Sequence, residues 1–108
     1  MKEMFVDVTV KIKPGLSAMD RGVVEDAIVE ALDAQHPGWG EVTGGGGFID
    51  GSMSDIDFEF NMAVDGESVV RLMGEAALEL LRGATTEPVA WNVCVSADGD
   101  VDWSGAVE

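Results

Sequence analysis

The sequence predicts an α+β domain with the element order β-α-β-β-α-β. Three observations carry that expectation. Val6, Val8, Val10 and Ile12 alternate with Asp7, Thr9 and Lys11, and Ile56, Phe58, Phe60 and Met62 alternate with Asp55, Asp57, Glu59 and Asn61. A period of two is the mark of a strand that buries one face. Between and after these runs, two windows place apolar residues every three or four positions, the mark of amphipathic helices.

The elements follow in order. Pro14-Gly15 stops the first strand, and Ser17 stands three residues before Asp20, which suits a helix N-cap with an acid in the first turn. The first helix then places Met19, Val23, Val24, Ala27, Ile28, Ala31 and Leu32 on its apolar side, and Glu25, Asp26, Glu30 and Asp33 on the other. His36-Pro37-Gly38 ends it. Trp39 to Met62 reads as a hairpin with a weak, glycine-rich first arm and a strong second arm. Asp65 and Ser68 both suit the cap of a second helix, whose apolar set is Val69, Leu72, Met73, Ala76, Ala77, Leu80 and Leu81, with Gly83 as its C′ residue. Val89 to Val95 supplies the last long strand, with Val89, Trp91, Val93 and Val95 on one face. Asp98-Gly99 is a hairpin-turn dipeptide, which allows Val101 to Trp103 to add a short fifth strand.

Two strand-helix-strand halves of this kind fold into a ferredoxin-like two-layer sandwich, one antiparallel sheet with both helices on one face. Residues 1–108 form a single domain, and 46% hydrophobic content is enough for one core. In this arrangement the first and third strands are central neighbours. The open face then shows Asp7, Thr9 and Lys11 beside Asp55, Asp57, Glu59 and Asn61. Alternate strand residues lie about 6.7 Å apart, so the three acids of the third strand make a row of roughly 13 Å.

Charge bounds the partner. Twenty-one Asp and Glu stand against six Lys and Arg, a formal charge of −15, and no Lys or Arg occurs between Arg21 and Arg71. Such a field attracts cationic partners and repels nucleic acid and anionic lipid. The N-terminal MKEMFVDV lacks the apolar core of a signal peptide, and no window reaches the length of a membrane span. A cytoplasmic protein is expected. Cys94, the sole cysteine, cannot form an intramolecular disulfide and sits in the apolar run Val93-Cys94-Val95, where it reads as a small hydrophobe.

The motifs point to binding rather than catalysis. The row Asp55, Asp57 and Glu59 reads either as a docking stripe for Lys and Arg or as the solvated face of a one-sided sheet. Acidic residues are poor strand formers, so three in alternation cost more than solubility requires. Asp98-Gly99-Asp100-Val101-Asp102 has the opening spacing of a calcium loop, but Trp103 takes the position that needs glycine, and a turn with acidic flanks fits better. Gly44 to Gly47 lacks the lysine and helix of a phosphate loop and suits a bulge or unusual φ in an edge strand. His36, the sole histidine, has no nucleophile or second histidine beside it. No catalytic residue, metal site or cofactor is expected. Trp39 and Trp103 stand at element ends, where each is either a lid over the core or an interface anchor; Phe5 is a third candidate anchor.

The stretch Gly40-Glu41-Val42-Thr43-Gly44-Gly45-Gly46-Gly47, followed by Ser54-Asp55-Ile56-Asp57-Phe58-Glu59-Phe60, resembles small acidic bacterial immunity proteins of polymorphic and contact-dependent toxin systems. In those proteins a glycine-rich turn precedes an alternating acidic strand. The resemblance implies a non-catalytic cytoplasmic inhibitor that neutralises a basic toxin or nuclease by direct binding. The partner surface is then Asp55, Asp57, Glu59 and Asp7, with Trp39 and Trp103 as anchors. A nucleic-acid mimic, a small-molecule binder and an enzyme of the same fold are the competing readings. Monomer and homodimer are both compatible with the sequence.

Overall fold

Alternation in the sequence becomes a sheet with one dry face. The computed structural model describes residues 7–47, 52–62, 64–83, 91–97 and 101–106. Its elements are β1 (Asp7–Lys13), α1 (Ala18–Gln35), β2 (Gly40–Gly47), β3 (Ser54–Phe60), α2 (Gly66–Gly83), β4 (Asn92–Ala97) and β5 (Val101–Ala106). The five strands form one antiparallel sheet in the order β2-β3-β1-β4-β5. β1 and β3 are therefore neighbours at its middle, in the register Asp7↔Glu59, Thr9↔Asp57 and Lys11↔Asp55.

Val8, Val10 and Ile12 of β1, Ile56, Phe58 and Phe60 of β3, and Val93, Val95 and Ala97 of β4 are buried in one cluster with residues of both helices. Full burial of each large apolar side chain contributes roughly 1.5–3 kcal/mol, so this layer is where the stability of the domain resides. Ser54, the buried polar residue of the inner face, is satisfied: its hydroxyl accepts from Leu16 N at 2.7 Å and contacts Leu16 O at 3.3 Å.

Ser17 caps α1 as its spacing implies, accepting from Asp20 N at 3.1 Å. At the other end His36 is the C-cap and its backbone N–H donates to Leu32 O. The expected apolar side of α1 is wider than the face that is buried. Val24, Ile28 and Leu32 point into the core, whereas Met19 is 80% and Val23 47% exposed. Adjacent residues on a helix are about 100° apart, so Val23 turns away where Val24 turns in.

α2 is rotated relative to its expected face. Its buried residues are Val69, Val70, Met73, Gly74, Ala77, Leu78 and Leu81, while Leu72, Ala76 and Leu80 are only half-buried. The cause is β5, which is longer than the expected Val101–Trp103 and, with β4, lies under α2. Asp65 immediately precedes the helix, its carbonyl accepting from Val69 N and its carboxylate from the Ser68 hydroxyl at 2.7 Å. Gly83 is the last helical residue and has no positive φ, so it does not serve as the left-handed C′ residue expected there.

Candidate functional site

The sheet face opposite the helices collects the acidic side chains, and strand register decides which of them meet. Residues paired across antiparallel strands project to the same face. Glu41 pairs with Glu59, and Glu59 with Asp7, so three carboxylates from β2, β3 and β1 line up across the sheet. The next line runs Gly44, Asp57, Thr9, Ser96 and Asp102, and the one after it Gly46, Asp55, Lys11, Cys94 and Ser104. Along β3, Asp55 and Asp57 are half-buried and Glu59 is exposed. The β3 row expected from the sequence is thus joined by a second, crosswise row through Glu41 and Asp7.

Among the described residues this face carries Asp7, Glu41, Asp55, Asp57, Glu59 and Asp102 against Lys11 and Lys13. The acids outnumber the lysines without being separated from them, since Lys11 stands directly opposite Asp55. Acids gather over β2, β3 and the start of β1. Lys11 and Lys13 lie at the far end of β1, beside Asn92, Cys94 and Ser104, where a shallow depression of about 560 Å³ opens. Thr9 Oγ1 donates to Asp57 Oδ1 at 2.9 Å, which fixes that carboxylate on the face. Two acids about 6.7 Å apart repel by roughly 0.6 kcal/mol even in water. The face is therefore held together against its own charge by the apolar layer beneath.

β2 is an edge strand, with a register shift between Val42 and Gly44 that leaves Thr43 as the bulged residue. The bulge expected of the glycine run is present, but Gly44, Gly45 and Gly46 show no positive φ. Gly40 has a different requirement: its φ is +152°, and a Cβ there would run into the Glu59 carbonyl.

The tryptophans are not the exposed anchors that their positions allowed. Trp39 is 3% exposed and packs on Phe58 and Phe60 with ring centroids 6.0 and 5.1 Å away. Its indole Nε1 donates to Asp33 Oδ1 at 2.9 Å, which lets a polar ring lie in the core. Trp103 projects to the helix side beside Val95 and is half-buried against Gly74 and Gly105. Both close the core: Trp103 because its pairing with Val95 turns it inward, and Trp39 because it lies just before β2 against Phe58 and Phe60. Phe5, Val89 and the Asp98-Gly99-Asp100 turn lie outside the described residues.

Sequence reasoning missed Glu41 as a member of the acidic face, because the hairpin register is set by the bulge at Thr43. It also missed the groove of about 650 Å³ between the helices, lined by Ala27, Ala31, Ala34, Ala76 and Leu80 with Glu30 and Glu79 at its rim. Among the described residues no group of three or more His, Cys, Asp or Glu side chains is placed to hold a metal ion. No helix among them is long and apolar enough to cross a membrane. No protein-family model matches this chain, and no curated protein matches it.

Proposed function

We propose that this protein is a non-catalytic interaction domain that grips a basic protein through the acidic face of its sheet, in the manner of a cytoplasmic immunity protein neutralising a toxin or nuclease. The observation that carries this reading is the convergence of Glu41, Glu59, Asp7, Asp57 and Asp55 on one side of the sheet. A solvated face needs charge of either sign, whereas the described residues of this one set six acids against two lysines, at a cost in strand propensity and in repulsion along the line of Glu41, Glu59 and Asp7. The strand order β2-β3-β1-β4 with its two helical crossovers favours a ferredoxin-like sandwich, to which β5 adds a fifth strand. The resemblance of residues 40–47 and 54–60 to acidic immunity proteins supports the same partner class.

The test is capture from the source lysate at low salt, followed by kinetics with the purified partner. The expected partner is a basic protein whose association is slowed at least about tenfold between 20 and 500 mM salt. The variant Asp55→Asn/Asp57→Asn/Glu59→Gln should slow it similarly at low salt. Association that ignores both salt and these substitutions would exclude the acidic face as the docking surface.

A further inference from the structure

The outer edge of β2 has an unusual make-up. Glycine is the residue that contributes least to a strand, because it has no side chain to pack and loses most freedom on ordering. The chain's own packing accounts for Gly40, as described above, and for Gly45, where a Cβ would lie 2.8 Å from the Asp55 carbonyl. It does not account for Gly44 and Gly46. Neither has a positive φ, and a Cβ at either would have its nearest neighbours at an ordinary 3.7 Å. Those neighbours are Asp57 Oδ2 at Gly44 and Asp55 Oδ1 at Gly46. What the two glycines achieve is access: at these two positions β2 has no side chain between the sheet edge and the two carboxylates.

We infer that the β2 edge receives an extended segment of the basic partner as an added strand, whose alternate Lys or Arg side chains reach over Gly44 and Gly46 to Asp57 and Asp55. This rests on the acidic-face reading above and specifies how that face is used. A strand added to β2 would sit about 4.8 Å beyond it and about 9.6 Å from β3. That gap suits a long cationic side chain crossing a glycine to meet an aspartate, and it is too wide for a short one. The spacing also matches. Cations at positions i and i+2 of the added strand stand about 6.7 Å apart, as Asp55 and Asp57 do on β3. Backbone pairing supplies affinity and the alternate side chains supply selectivity, as in other strand-addition complexes.

Charge chooses the occupant. A second copy pairing β2 with β2 would extend the acidic face of one sheet into that of the other, opposing like charges. Among the described residues the edge of β5 has no comparable set of carboxylates behind it, since Cys94, Ser96 and Asn92 face it from β4.

The probe is a fluorescein-labelled ten-residue peptide of alternating arginine and valine, titrated at 20 mM salt and read by anisotropy. Two further versions carry N-methyl groups on the arginine amides or on the valine amides. The amides of one set face β2 and those of the other face away, so the two versions should differ at least tenfold in affinity. Equal binding by both would overturn strand addition. Gly44→Val/Gly46→Val should weaken the parent peptide at least tenfold while leaving the thermal midpoint within a few degrees, since both positions have room. Unchanged affinity in that variant overturns the inference, as does a peptide that fails to bind. Asp55→Asn/Asp57→Asn separates the two levels. Loss of binding there, with the glycine variant and N-methyl pair indifferent, sinks the edge and leaves the acidic face standing; indifference of the peptide to all of them sinks both. Sedimentation showing a dimer that the valines disrupt would assign the edge to a second copy instead.

Discussion

Glu59 is the residue at which stability and the proposed binding oppose each other. It stands in register between Glu41 and Asp7 on an exposed face. Like charges directly opposite one another on a sheet are destabilising. Glu59→Gln should therefore raise unfolding free energy by roughly 0.5 kcal/mol in low salt. Urea titrations at 20 and 500 mM salt check this; the gain should shrink at the higher ionic strength, where the repulsion is screened. Trp39 carries the opposite expectation. Its ring is buried and its indole N–H is paired with Asp33, so Trp39→Ala should cost about 3–5 kcal/mol. A variant that unfolds normally and loses only partner binding would instead make Trp39 an anchor.

At the scale of elements, the contact of α2 with β5 is the feature most open to test. A Cβ at Gly74 would collide with the Trp103 ring. Alanine is worth about 1 kcal/mol more than glycine in a helix interior, yet Gly74→Ala should lower stability by about 1–3 kcal/mol through overpacking. In the Trp103→Ala background the same substitution should become neutral or favourable. A double-mutant cycle by chemical denaturation measures the difference, and additivity of the two changes would mean that Trp103 does not lie on Gly74. The cap of α1 is a simpler case. Ser17→Ala removes the acceptor for Asp20 N and should cost about 1 kcal/mol.

For the whole molecule, the distribution of charge matters more than its total. A net charge of −15 spread evenly would speed encounters with any cation in any orientation. Both helices carry acids of their own, among them Glu25, Asp26, Glu30, Glu75 and Glu79, whereas on the sheet face the carboxylates centre on β2 and β3, with Lys11 opposite Asp55 and Lys13 beyond it at the end of β1. On that face a basic partner is therefore oriented as well as attracted. Reversing that asymmetry with Lys11→Glu and Lys13→Glu should leave the net attraction stronger but the docked geometry less selective. The expected readout is a faster association rate together with a faster dissociation rate; a slower association would contradict steering by this face.

Much of this was legible from local pattern. The phases of β1 and β3, the cap at Ser17 and the end of α1 at His36 all follow from residues within a turn or two of one another. The acidic sign of the open face also follows, because alternation alone assigns Asp55, Asp57 and Glu59 to the side opposite Ile56 and Phe58. Four things were decided by contacts far apart in sequence: the burial of Trp39 and Trp103, the rotation of α2 toward Val70, Gly74 and Leu78, the full length of β5, and the alignment of Glu41 with Glu59 and Asp7. The physical reason is the same in each case. Periodicity fixes which side of an element is apolar, but which neighbour covers that side, and which charges end up facing one another, depends on strand order and register.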